Sequence, residues 1–475
     1  MTNLSGVIKS MRNIMREDSG INGDAQRIEQ LGWMLFLKIF DDKDQEQEIL
    51  QDNYKSPIPK PFQWRNWAAD DEGMTGDELQ QFVDGNLFPT LKDLPATTPH
   101  AIMVREVFDG NHNFIKSGTV LRKLLNKLNE IDFNKTADRN TFGEIYETIL
   151  KELQSAGSSG EFYTPRPITQ FIVDMLNPQL GETLLDPACG TGGFLTCDIE
   201  KRKQQANTVD AFRKIQNNIR GWEWKPLPYL LGVTNLILHG VEVPNITHRD
   251  GFDTPLTEYK QKDRVDIIAA NPPFGGVVAN GYEKNFPTFK TKESADLFLI
   301  LIIHLLKEGG RAGIVLPDGS LTGTGVKQRV REKLLQDCNL HTIIRLPNSV
   351  FQPYATVATN LLFFNKVEHN KEQGYATKEV WYYEHRLPEG QKAYSKTKPI
   401  QLHELDPIKK WWDNRKESEV SWKVNIDTLI ERDFDLDIKN PNKQEEEYEY
   451  TSAELLQQLE NSFAKSQDII KQLKA

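Results

Sequence analysis

The sequence predicts an α/β protein: a mostly parallel, doubly wound sheet between about residues 156 and 375, with a helical region before it and a helical extension after it. Three observations carry this. From Glu182 onwards, short apolar runs alternate with amphipathic stretches of helical length, the pattern of strands joined by crossover helices. Before Ser155 the apolar residues instead recur at three- and four-residue spacing, as on one face of a helix. Past residue 375 the composition turns polar and closes on a spaced apolar seam.

The first part spans residues 1–155. In "AQRIEQLGWMLFLKIFDD", Ile28, Leu31, Leu35 and Ile39 form one stripe. "GTVLRKLLNKLNEIDF" and "TFGEIYETILKELQ" repeat the pattern, the latter opening on a capping-box pair, Thr141 and Glu144. The Pro-, Asp- and Trp-bearing stretch from Ser56 to Thr98 reads as loops. "SAGSSGE", Ser155 to Glu161, is a hinge by composition.

The second part, 156–375, runs strand "ETLLDPACG", helix "FLTCDIEKRKQQ", strand "IRGWEW" and helix "YLLGVTNLILHG". Strand "VDIIAANPPF", helix "ADLFLILIIHLLKEGG", strand "RAGIVLPDG" and helix "VKQRVREKLLQ" follow. Strands "HTIIRLP" and "TNLLFFNKV" have no helix between them, so an antiparallel pair is expected to close one edge. The third part, 376–475, holds the acidic linker "KNPNKQEEEYEY" and a terminal helix opening on Thr451 and Glu454. Its seam of Leu456, Leu459, Phe463, Ile470 and Leu473, with Ser466 as the polar exception, suits docking on another subunit.

Bulk properties bound the function. A chain of 475 residues with 38% hydrophobic and 27% charged residues is expected to form two or three soluble domains. Its longest apolar run, Leu297 to Leu306, is too short to span a bilayer, and the N-terminus lacks the apolar core of a signal peptide. Three cysteines (Cys189, Cys197, Cys338) make neither a disulfide framework nor a C-x-x-C zinc spacing. A cytoplasmic location without membrane contact or structural metal is expected. The net charge of −10 is unlike that of a protein gripping nucleic acid unaided, because phosphate neutralisation supplies most of such affinity.

Ligands of open α/β sheets sit at the carboxyl ends of the strands, and two loops there are unusual. In Asp186-Pro187-Ala188-Cys189-Gly190-Thr191-Gly192-Gly193-Phe194, glycines permit a tight strand-to-helix turn and close approach of a ligand. A dinucleotide fingerprint would need glycine or alanine where Leu195 stands, and no G-K-[ST] of a P-loop follows. The loop therefore suits a nucleoside-like ligand without pyrophosphate. Glu223, ending the second strand between two tryptophans, suits ribose hydroxyls, with a plain surface charge as the bland alternative. Asp250, ending the third short strand, suits an adenine amino group; a turn aspartate before glycine is nearly as good a reading.

The second loop is Asn271-Pro272-Pro273-Phe274. Two prolines stiffen the chain and leave its carbonyls free to point outward. An amide oxygen on Asn271, the Pro272 carbonyl and the Phe274 ring can hold a flat group bearing an amine. Two acceptors around a nucleobase amine stabilise the positive charge that develops when its nitrogen attacks.

Together these residues resemble the S-adenosylmethionine-dependent amino-methyltransferases, in the motif order of the γ-type adenine-N6 DNA enzymes. With "EFYTPRPITQFIVDML", "LGWMLFLKIFDD" and "IIRLPNSVFQPYATVATNLLFF", nearly the whole chain resembles the modification subunit of a type I restriction–modification system. The resemblance implies a Rossmann-like methyltransferase fold with a mostly parallel seven-stranded sheet. It implies S-adenosyl-L-methionine as cofactor, on Asp186, Gly190, Thr191, Gly192, Gly193, Glu223 and Asp250. Glu161, Phe162, Tyr163, Thr164, Pro165 and Arg166 would line its methionine end.

The implied reaction is site-specific transfer of methyl to N6 of an adenine flipped out of double-stranded DNA, with Asn271, Pro272, Pro273 and Phe274 as the catalytic corner. A separate specificity subunit would read the sequence, typically joining two modification subunits, and a restriction subunit can accompany them. A partner that holds DNA would also explain the acidic charge, with Lys284, Lys290 and Lys292 left as local grips. "KQRVREK" reads as the wet face of a helix. Three alternatives stay open here: a protein glutamine methyltransferase, a DNA methyltransferase with its own recognition domain in 366–450, and an inactive cofactor-binding scaffold.

Overall fold

The computed structural model describes residues 4–133, 146, 163–278, 281–352, 357–368, 374–442 and most positions from 456 to 467. The capping pairs Thr141/Glu144 and Thr451/Glu454, and Glu161 and Phe162, lie outside the described residues, as do Ile470 and Leu473.

A nine-stranded mixed sheet organises the molecule, in the order β3-β2-β1-β4-β5-β7-β6-β8-β9. Its strands are β1 Leu184–Asp186, β2 Ile219–Glu223, β3 Ile246–His248, β4 Val265–Ala270, β5 Leu306–Pro317, β6 Cys338–Leu346, β7 Thr359–Lys366, β8 Glu379–Glu384 and β9 Ser421–Asn425. β1 to β5 pair in parallel. Helices Gly193–Lys203, Pro226–Leu238 and Ser294–Leu305 connect them. β4, "VDIIAA", is buried at five of its six positions, as expected of a strand covered on both faces.

β7 runs antiparallel to both β5 and β6. The antiparallel pair expected at an edge therefore lies inside the sheet. The reason is burial: "TNLLFF" is buried at every position and gains most from neighbours on both sides. Two further strands extend the sheet beyond the seven expected. β8 pairs parallel to β6, and β9 antiparallel to β8. β9 alternates buried and exposed positions in part, which suits the edge it forms, while β8, paired on both sides, has only buried and half-buried positions.

The N-terminal helices Asp24–Leu50, Pro99–Phe108 and Gly118–Asn129 join the same apolar core as the sheet. The stretch from Ser56 to Thr98, expected as loops, holds helical turns at Trp64–Trp67, Gly76–Phe82 and Phe88–Lys92. Trp64 and Trp67 are buried there, so packing overrides the local breakers. In the helix Val326–Asp337, expected to be solvated, Arg331 is buried. Its guanidinium donates to the carbonyls of Thr322, Gly323 and Phe434.

Helix Pro226–Leu238 is buried from Pro228 to its end and links the two regions. On one side it meets the Asp24–Leu50 helix, where a Cβ on Gly32 would lie 2.9 Å from Leu230 Cδ2. Tyr229 Oη donates to Glu106 at 2.7 Å, and Tyr146 Oη to the Leu231 carbonyl at 3.0 Å. Among the described residues no helix is long and apolar enough to cross a membrane. Substituting Gly32→Val should force these helices apart and cost about 1–3 kcal/mol; urea unfolding of the variant against the wild type measures it.

Candidate active site

The glycine loop and the Asn271 corner leave the sheet side by side because β1 pairs with β4, Leu185 opposite Ile268. Between them opens a cavity of about 640 Å³, within the range of small-molecule sites. Asp186, Gly190, Thr191, Gly193, Glu223, Asp250, Thr164, Asn271, Pro273 and Phe274 all line it. Gly192 and Pro272 are not among the lining residues: Gly192 is the positive-φ residue that starts the helix, and Pro272 is buried within its turn. Arg166 braces the loop from outside, donating to the Gly193 carbonyl at 3.1 Å and to the Thr196 hydroxyl. Pro165 precedes the Arg166–Leu176 helix, and Tyr163 is buried.

Glycine at 190 and 192 is required by the backbone, with φ of 52° and 78°. The turn is closed by Gly192 N donating to the Cys189 carbonyl at 2.8 Å. Glu223 tethers it from the next strand: Oε2 accepts from Gly190 N at 3.0 Å and Oε1 from Lys225 N at 2.8 Å. Each oxygen keeps a lone pair for a ligand hydroxyl. Burial pushes the Glu223 carboxyl up, while the backbone N–H groups of Lys225, Gly190 and Trp224 pull it down. Only 7% exposed, Glu223 is no surface charge. Burial likewise pushes Asp186 well above the usual carboxylate range, against a hydrogen bond from Ala188 N, and the nearby Glu223 charge adds to the rise.

Asp250 is both of the things the sequence allows. Its Oδ1 accepts from Phe252 N at 2.9 Å as a turn aspartate, and it also lines the cavity. Its charge raises the Tyr282 phenol.

At the corner, Asn271 Nδ2 donates to Thr164 Oγ1 at 2.9 Å. Asn271 Oδ1 is buried and has no partner in the protein. A buried amide oxygen left unmet is costly, and here it fits an incoming N–H donor. Phe274 is half-buried, its ring edge-to-face with Phe351 at 5.6 Å and 82°.

Sequence reasoning passed over the supports of both loops. Gly232 packs beneath the glycine loop, where a Cβ would lie 2.8 Å from the Gly190 carbonyl. The buried Asn235 donates to the Thr191 carbonyl at 2.9 Å. A glycine inside an otherwise apolar helix is the signal that could have found this contact, since it costs about 1 kcal/mol without a packing reason. Phe351, Tyr282 and the Thr164–Asn271 bond had no local signal.

A family model described as N-6 DNA methylase matches residues 137–450, and one for the HsdM N-terminal domain matches 4–128. The chain is 49% identical to the methylase subunit of the type I restriction enzyme EcoEI from Escherichia coli, over 99% of this chain and 97% of that one. The chain belongs to the methylase subunits of type I restriction enzymes. It is 29% identical to the EcoKI methylase subunit of E. coli K12, over 81% of this chain and 71% of that one. Among solved structures, a modification subunit from Vibrio vulnificus YJ016 superposes with a TM-score of 0.81 at 42% identity, over 92% of this chain and 96% of that one. A chain from a type I restriction–modification assembly gives 0.83 at 34%, over 100% and 98%. This methylase subunit is an adenine-N6 DNA methyltransferase.

Substituting Gly232→Ala should push the Gly190 carbonyl out of place and weaken cofactor affinity about tenfold, since at this loop the added methyl meets backbone rather than a yielding side chain. Equilibrium dialysis with labelled cofactor, beside a thermal melt showing an intact fold, checks this.

Proposed function

We propose that the cavity holds S-adenosyl-L-methionine along the glycine loop and the target adenine at the Asn271 corner. The observation that carries the reading is the unpartnered Asn271 oxygen beside that loop. When bound, the cofactor supplies an electrophilic methyl group on a sulfonium. Gly190, Thr191, Gly192 and Gly193 let it approach the backbone, and Asp186 anchors the loop. Glu223 accepts from the ribose hydroxyls and Asp250 from the adenine amine of the cofactor. The segment from Glu161 to Arg166 borders its methionine end, an assignment supported at Thr164, which lines the cavity.

At the corner, Asn271 Oδ1 and the Pro272 carbonyl accept the two N6 hydrogens of the extruded base. Both acceptors strengthen as positive charge develops on nitrogen. Pro273 keeps the turn rigid, and the Phe274 face receives the ring. The four-residue motif itself holds no histidine or lysine, consistent with an amine that attacks before losing its proton. The base must leave the duplex to arrive there, because its amine is otherwise paired.

The three parts of the chain take different tasks in this reading. Residues 1–155 steady the catalytic part, 156–375 carries the chemistry, and 376–475 contributes edge strands and a terminal docking helix. Leu456, Leu459 and Phe463 are exposed on that helix and suit contact with a specificity subunit, which reads the DNA site and joins two methylase subunits. A restriction subunit can complete the complex, in the cytoplasm. Lys284, Lys290 and Lys292 are exposed beyond the corner, placed to meet DNA phosphates. A self-contained enzyme with its own recognition domain fits less well, since β8 and β9 of the candidate stretch are spent on the sheet.

Asn271→Ala and Phe274→Ala should each abolish adenine methylation while cofactor binding survives. Methyl incorporation into duplex DNA by the assembled complex, with a parallel binding measurement, tests this; normal turnover in both would overturn the role given to the corner.

A further inference from the structure

We infer that Thr164 is a positioning residue for methyl transfer, its hydroxyl holding the Asn271 amide with the carbonyl end turned towards the base. This deepens the proposed role of the corner and rests on it. It gives Thr164 a task beyond bordering the cofactor.

Three observations carry it. Thr164 and Asn271, 107 residues apart in sequence, are bonded at 2.9 Å, with the amide nitrogen donating and the hydroxyl oxygen accepting. The other end of the same amide, Oδ1, is buried without a partner. Both residues line one cavity.

The two ends of a side-chain amide have nearly the same shape and opposite polarity, and the torsion that exchanges them is soft. An asparagine beside a base amine is therefore useful in one orientation and harmful in the other. Turned over, its N–H groups would face the N–H groups of the base, donor against donor. The Asn271 backbone cannot choose between them, although the prolines after it fix its direction. A hydroxyl can accept from an amide nitrogen or donate to an amide oxygen; at Thr164 it accepts from the nitrogen, and the bond so made holds the carbonyl end towards the cavity.

Thr164 itself is steadied by Pro165, with φ of −51°, at the start of the Arg166–Leu176 helix. That helix is anchored by Arg166 on the Gly193 carbonyl. The orientation of the catalytic amide is thus tied to the same loop that borders the cofactor.

The test uses the full chain assembled with its specificity subunit, labelled S-adenosylmethionine and genomic DNA lacking the modification. Thr164→Val keeps the shape and removes the acceptor. It should lower kcat about tenfold, the scale of one lost hydrogen bond, with cofactor affinity within about twofold of wild type. Thr164→Ser restores the hydroxyl and should recover most of the rate. In an Asn271→Asp background both ends of the side chain accept, so Thr164→Val should cost less than about threefold.

Wild-type turnover in Thr164→Val would overturn the inference. So would a fall in cofactor affinity that matches the fall in rate, a Thr164→Ser variant as slow as valine, or the same tenfold loss in both backgrounds. Failure of the corner reading itself would show separately, as turnover surviving in Asn271→Ala.

Discussion

The pairing of β1 with β4 is the constraint on which the site depends. Both strands run parallel and end at the same edge of the sheet, Asp186 on one and Ala270 on the other. Chain that leaves them must emerge together, whatever it then does. The order β3-β2-β1-β4-β5 places the reversal of strand order at this pair, where an open α/β sheet leaves a crevice. A glycine turn on one side and a proline-stiffened corner on the other are therefore brought together by backbone hydrogen bonds, before any side chain is considered.

Loops so placed still need rigid backing, and one helix supplies much of it. Pro226–Leu238 meets the glycine loop through Gly232 and Asn235, and the N-terminal Asp24–Leu50 helix through Leu230 and Leu231. The helical region before the sheet thus packs on the same helix that backs the glycine loop. The acidic net charge of −10 is tolerable if DNA is held mainly by a partner, with the exposed lysines past the corner adding local contacts.

Much of this was legible in the sequence. β4 announces itself as an apolar run stopped by Asn271-Pro272-Pro273-Phe274, and the glycine loop by residues that only a tight turn explains. What escaped shares one physical feature: it is decided by contacts distant in sequence. β8 and β9 are aromatic-bearing, part-exposed segments whose strand character comes from the sheet edge they complete. β7 reads as an edge strand until its burial on both faces is seen. Arg331 looks solvated on a helical wheel, yet it is buried against carbonyls of 322, 323 and 434. The Trp64 and Trp67 turns sit among residues that locally favour loops. Likewise Thr164 reads as part of a proline-rich turn, and only the fold brings it to Asn271.

The central claim is that the buried, unmet oxygen of Asn271 is the acceptor for the target amine. It is tested most directly by a structure of the assembled complex with duplex DNA and a non-reactive cofactor analogue. The account predicts the Asn271 oxygen at about 3 Å from N6 of an extruded adenine, with the base lying on the Phe274 ring. An adenine seated in the cavity with its amine away from Asn271, or an Asn271 oxygen engaged instead by a protein group, would contradict it.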